Sequence, residues 1–131
     1  MSNKSKKILT EISAGELLDK ISILEIKLEK VVDKNNLEEI KKEHAMLKVV
    51  QSSNISFNNK INDLYKSLKE INLKLWNIED KLRIYEKEKN FSKDFIDLAR
   101  DVYVTNDKRS MVKSEINKAL GSNIKEIKQY V

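Results

Sequence analysis

From Phe57 to Tyr85 the apolar residues recur at alternating steps of three and four: Phe57, Ile61, Leu64, Leu68, Ile71, Leu75, Ile78, Leu82 and Tyr85. A mean spacing of 3.5 residues lays a single stripe along an α-helix, and holding that register over four heptads is the signature of a coiled-coil-like seam. Lysines or Ser67 at positions 60, 67, 74 and 81 flank one side of the stripe, and Glu79 and Glu86 flank the other. A chain dominated by one long helix of this kind must supply other helices to cover it.

The remaining segments supply them. Ser13 followed by Glu16 has the spacing of a capping box, with Ile12 and Leu17 as a hydrophobic staple, and Leu17, Ile21, Leu24, Leu28 and Val31 continue one face. Phase is lost at 33–36, where Asp33 can cap a second helix striped by Leu37, Ile40, His44 and Leu47. The stretch "QSSNIS" reads as a loop, with Ser53 or Asn54 capping the long helix. "KNFSKD" turns the chain, with Ser92 as cap and Phe91 with Ile96 as a staple. A fourth helix carries Phe95, Leu98, Val102, Ile116 and Leu120 and ends at Gly121, where the left-handed conformation is cheap. A kink near Thr105 is compatible with this pattern.

Composition narrows the class. There is no proline, only two glycines and few aromatics, which disfavours a sheet protein with tight turns. With no cysteine and one histidine, neither a disulfide framework nor a thiolate or imidazole metal site is expected, and no cofactor is implied. No apolar run reaches the length of a membrane span, and the basic N-terminus lacks the apolar core of a signal peptide, so a cytoplasmic location is expected. The motif of helical pyrophosphatases, ExxE followed by ExxD, is missing: the acidic pairs Glu25 with Glu29 and Glu39 with Glu43 are four apart. The residue three before His44 is Lys41, which rules out a Glu-x-x-His di-iron pair. His44 itself reads as a satisfied histidine on an apolar stripe.

The net charge of +5 comes mostly from lysine, only three of the 26 basic residues being arginine. Lysine, isoleucine and asparagine dominate together, as A/T-rich codons would produce. Aromatics are not interleaved with the lysines, so nucleic-acid binding ranks third among the functional readings. The scarce arginines carry more information, because a planar five-donor fork has no lysine substitute where an anion is held bidentately. Arg83 closes a row on the flank of the long helix with Asn72, Trp76 and Glu79. Arg109 falls on the stripe of the fourth helix with Asn106 and Lys113, where apolar side chains are due. A charge facing a helical seam must be paired, and Glu16, Asp19, Glu25 and Glu79 are the carboxylates that could serve. Two outcomes follow. The groups close on one another as a structural network, or they converge on a void that takes a small anionic ligand, with Trp76 or Tyr103 as an aromatic lid.

"SAGELLDKISILEIKLEKV", "LWNIEDKLR", "VYVTNDKRSMVKSEIN" and "GSNIKEIKQY" resemble the successive blocks of a family of short bacterial proteins known only as a domain of unknown function. The resemblance runs from about Ser13 to Tyr130. It implies a small all-helical protein and brings no catalytic residue with it.

The expected architecture is all-α: a basic tail over 1–12, then a single helical domain over 13–131, a four-helix bundle built on a long antiparallel hairpin of the third and fourth helices. The expected function is a non-enzymatic interaction protein, a homodimer that presents a face to a protein partner. The alternative is an anionic-ligand or catalytic site formed by Lys20, Trp76, Glu79, Arg83, Tyr103, Asn106, Arg109 and Lys113. Sequence alone leaves open whether the chain is an enzyme.

Overall fold

The computed structural model describes residues 6–130, so residues 1–5 of the basic tail lie outside the described residues. Four helices follow in order: α1 (Ala14–Lys30), α2 (Lys34–Asn54), α3 (Asn59–Lys87) and α4 (Lys93–Leu120). No strand is present among the described residues. The piece "ILTEI" before α1 is neither helix nor strand.

The first three helices begin where a side chain accepts from a free N–H group, whereas Ser92 stands at the N-cap of α4 without a side-chain cap hydrogen bond. Asp33 and Asn58 accept from the amides of Asn36 and Ile61, both at 2.9 Å. The cap of α3 is thus Asn58 rather than Ser53 or Asn54. Those two residues belong to the last turn of α2, because the stretch read as a loop continues the helix to Asn54. Asparagine at 58 sits directly before the first in-register apolar residue, Ile61, whereas a cap at 54 would have forced Phe57 into the first turn. Gly121 ends α4 at φ 61°, as expected for a left-handed C-terminal residue. The staple expected between Phe91 and Ile96 does not form a buried contact: both remain more than half exposed, and Phe91 instead packs edge-on against Phe95 at 5.3 Å. α4 runs unbroken through Thr105.

α3, with 29 residues, is roughly 43 Å long at the α-helical rise. Residues that come later on α3 face residues that come earlier on α4: Ser67 shares a recess with Met111 and Val112, Lys74 with Thr105, and Lys81 with Leu98. The chain therefore doubles back at 88–92. α1 lies across the open end of this pair. Its first turns sit over α4, while Glu25, near its end, reaches Tyr65 and Lys69 of α3. Leu17, Leu18 and Ile21 of α1 form the core with Ile61, Leu68 and Ile116, all 5% exposed or less. α2 packs on α1 and contributes no fully buried residue. It is a cover for the outer side of α1, and its polar composition follows from that position.

Candidate functional site

Asp19 is the centre of the molecule's polar interior. It lies on α1 between Leu18 and Ile21, which are fully buried, and its side chain is 2% exposed. An isolated carboxylate there would be expelled or protonated. Instead, Arg109 of α4 grips both its oxygens, Nε donating to Oδ1 at 3.0 Å and Nη2 to Oδ2. This is the bidentate fork that lysine cannot reproduce. Asn72 of α3 donates to Asp19 Oδ1 and to Ser22 Oγ, each at 2.8 Å, and the Ser22 hydroxyl donates to the Asp19 carbonyl at 2.8 Å. One carboxylate thus joins three helices.

Lys113, one turn along from Arg109, extends the network outward. Its ammonium lies 2.8 Å from Glu16, 3.1 Å from Glu126 of the C-terminal tail and 3.6 Å from Asp19. Burial would lower its pKa, but hydrogen bonds to Glu16 and Glu126 and the charge of Asp19 outweigh this and hold it above the usual lysine value. Arg109 is raised by its hydrogen bonds to Asp19, against the opposing effect of burial. Glu16 is therefore not the second half of a capping box. Ser13 accepts from the Glu16 amide at 3.1 Å, but the Glu16 carboxylate is turned to Lys113 and, at 3.9 Å, to Lys20.

The start of α1 is held by the same region. Ser122 Oγ accepts from the Ala14 amide at 3.1 Å, Asn117 Oδ1 from Gly15 at 2.7 Å, and the Ser13 carbonyl from Leu17 at 3.1 Å. With Ser13 on Glu16, the three helical amides that precede the first i→i−4 bond, those of Ala14, Gly15 and Glu16, all have protein partners. Gly15 permits this approach. A Cβ built there would stand 2.6 Å from the Lys113 carbonyl oxygen and 2.9 Å from Asn117 Oδ1.

A second cluster surrounds Glu25. Tyr65 donates to one of its oxygens, His44 Nε2 lies 3.2 Å from the other, and Lys69 is at 3.6 Å. Burial pushes the Glu25 carboxyl up, but the hydrogen bonds from Tyr65 and His44 and the charge of Lys69 prevail, leaving it below the usual carboxylate value. Burial and the adjacent carboxylate push the Tyr65 phenol up. His44 is a satisfied histidine, as its sequence position indicated.

The eight candidate residues divide into groups. Arg109 and Lys113 meet at Asp19, Lys20 sits on the rim through Glu16, and Asn106 lines a recess with Arg109 and Lys113. The expectation that Arg83 shares a partner with Arg109 is corrected. Arg83 pairs with Asp80 at 3.8 Å and its side chain is 74% exposed. It lies three turns along α3 from Asn72, the residue that does reach Asp19, because α3 is straight and α1 ends its reach there. Glu79 is exposed, Trp76 half-buried and Tyr103 exposed on the part of the hairpin beyond the network. They form no joint site with Arg109. Sequence reasoning missed Ser22 and Glu126. Ser22 had a signal, as a small polar residue embedded between Leu18 and Ile26, whereas the tail carrying Glu126 has no periodicity to place it.

These features define an all-α protein whose hairpin is clamped to its first helix by a buried carboxylate held by arginine, lysine and asparagine. The chain belongs to the family of unknown function DUF6165, whose model matches residues 8–131. No curated protein and no solved structure matches it. Among the described residues, no cluster of histidine, cysteine or carboxylates could hold a metal ion, and no helix is long and apolar enough to cross a membrane.

Proposed function

We propose that this chain is a non-enzymatic helical interaction protein that works as a homodimer through the face of the α3–α4 hairpin turned away from α1. The observation that carries this reading is a groove open along the whole pair. Three recesses, of about 430, 490 and 470 Å³, share Glu70, Lys74, Lys81, Leu98 and Asp101 as common walls and so run into one another. Ile84 and Met111 in this groove are 56% and 63% exposed. Thr105 is buried beneath its wall, and its hydroxyl has no hydrogen-bond partner.

Charge favours a second copy as the occupant. Towards the tip the α3 wall carries Lys74 and Lys81, and the α4 wall carries Asp94, Asp97 and Asp101. None of the five has an ion-pair partner among the described residues. Two hairpins related by a two-fold axis along their length would set each α3 against the other's α4, bringing Lys81 to Asp97 and Lys74 to Asp101 of the second copy. The reverse arrangement would oppose lysines to lysines. Such complementarity chooses the geometry, while the buried apolar groove supplies the affinity.

Sedimentation equilibrium at micromolar protein should report a dimer. Lys81→Glu should weaken it, and adding Asp97→Lys to that chain should restore it. A clean monomer at high concentration overturns the reading. The alternative, a ligand or catalytic site spanning all eight candidate residues, loses support because Arg83 pairs with Asp80 away from Arg109, and Trp76, Glu79 and Tyr103 lie beyond the network.

A further inference from the structure

One part of the polar network is built differently from the rest. Asp19 and Glu16 project from α1 and are fixed by the core beneath them. Glu126 reaches the same lysine from a tail, 121–130, that has no helix or strand. That tail is tied down at few points: Ser122 to the Ala14 amide, Asn123 to Glu11 at 2.9 Å, and Glu126 to Lys113. The Glu126 carboxylate lies in a recess of about 410 Å³ lined by Asn106, Arg109, Ser110, Lys113 and Lys128. It is held by Lys113 and Lys128, each at 3.1 Å, and these bonds keep its pKa below the usual carboxylate value.

Three further features make the recess a receptor and not only a clasp. Lys113 is nearly buried, with a side chain 9% exposed, and while Glu16 and Asp19 stay with it wherever the tail goes, its third anionic contact is one that the tail alone supplies. Four cations, Lys20, Arg109, Lys113 and Lys128, face three carboxylates, Glu16, Asp19 and Glu126, which leaves an excess of positive charge with Glu126 in place. Donor capacity is also uncommitted. Arg109 uses Nε and Nη2 on Asp19, and the side chains of Asn106 and Ser110 have no hydrogen-bond partner among the described residues.

We propose that this recess binds a small oxyanion, a carboxylate or a phosphate, and that Glu126 is the tethered carboxylate that occupies it when the ligand is away. A ligand oxyanion takes over the Lys113 bond, adds Asn106, Ser110 and the free Arg109 Nη1, and releases the tail from Glu126 onward. A tethered competitor reduces the apparent affinity to the intrinsic affinity times the fraction of chains in which the site is free. For a partly exposed ion pair that factor is roughly fivefold.

The test measures melting temperature against inorganic phosphate and, separately, succinate, with chloride at equal ionic strength as reference, in the full-length wild type, Glu126→Gln and the double variant Asn106→Ala/Ser110→Ala. The proposal expects at least one of the two anions to stabilise the wild type beyond chloride, and to bind Glu126→Gln about fivefold more tightly. It expects the response to be lost in the double variant, which folds because both substitutions favour helix. In wild-type amide spectra, residues 126–130 should move towards random-coil positions as the anion is added. If neither anion exceeds chloride in Glu126→Gln, if that variant binds no more tightly than wild type, or if the double variant responds unchanged, the recess is a structural clasp and the proposal fails. Phosphate alone or succinate alone identifies the class.

Discussion

Between Ile61 and Asn72 on α3, and between Arg109 and Asn117 on α4, the hairpin is roofed by α1. Between Leu75 and Lys87, and between Lys93 and Thr105, it is not. The same heptad pattern runs through both halves. In the roofed half Ile61, Leu68 and Ile116 are 1% exposed or less, and even the polar Asn72, Lys113 and Asn117 are buried. In the bare half the seam between the two helices still buries Leu75, Ile78 and Thr105, but Ile84 and Ile96 are each more than half exposed. An apolar period thus says that a face wants a partner, and says nothing about whether this chain provides it. Polar residues behave in the same way. Arg109 and Arg83 both sit beside the seam, but only Arg109 lies under α1 and finds a buried carboxylate.

The largest expected effect falls in the roofed half. Asp19→Leu leaves Arg109 and Lys113 facing the interior without their shared anion, and should cost about 3 to 5 kcal/mol in urea unfolding. Arg109→Met should cost less, because Asn72 and Lys113 still reach Asp19. Arg83→Ala, in the bare half, should lie within about 0.5 kcal/mol of wild type. Equal losses at the two arginines would break the comparison.

Gly15→Ala comes next. The added methyl must displace the Lys113 backbone, and the overpacking should cost about 1 to 3 kcal/mol despite alanine's better helix propensity. In the bare half, Asn77→Ala meets no such neighbour and should be neutral or slightly stabilising. Thr105→Val probes the groove. Removing an orphaned buried hydroxyl should stabilise the fold by about 1 kcal/mol in urea unfolding, and a loss of stability would show that the hydroxyl has a partner.

The smallest effect is the pH dependence of the Glu25 cluster. Its carboxyl lies below the unfolded value of 4.5, so its contribution is complete above that pH and is lost as pH falls through the lower folded value. Lys113 has the opposite sign. Raised above 10.5, its contribution is complete below that pH and is lost as pH rises through the folded value. Urea midpoints measured from pH 7 down to 3 should fall less steeply in Glu25→Gln than in wild type. An unchanged slope would show that Glu25 is not held in its charged form.

Much of this was legible in the sequence, for physical reasons. Four helices and their order follow from periodicity and from the caps at Ser13 and Asp33, since these are local signals. That Arg109 and Lys113 must find anionic partners follows from their place on the stripe, because an unpaired charge cannot remain in a seam. Three things were not legible. The end of α2 was misplaced because polar residues that could start a turn also tolerate a last helical turn. Arg83 was grouped with Arg109 because periodicity places a residue around a helix axis, whereas the reach of α1 along that axis is a tertiary fact. Glu126 could not be placed because an aperiodic tail docks only through contacts with a surface already folded.

The contrast between the two halves is tested most directly by amide hydrogen exchange as a function of protein concentration. The account predicts that protection over 76–87 and 93–105 rises as the concentration passes through the dimer range, while protection over 61–72 and 109–117 is already complete in the monomer and does not change. Protection that is the same in both halves at every concentration would contradict it, because the bare half of the hairpin would then be stable without a second copy.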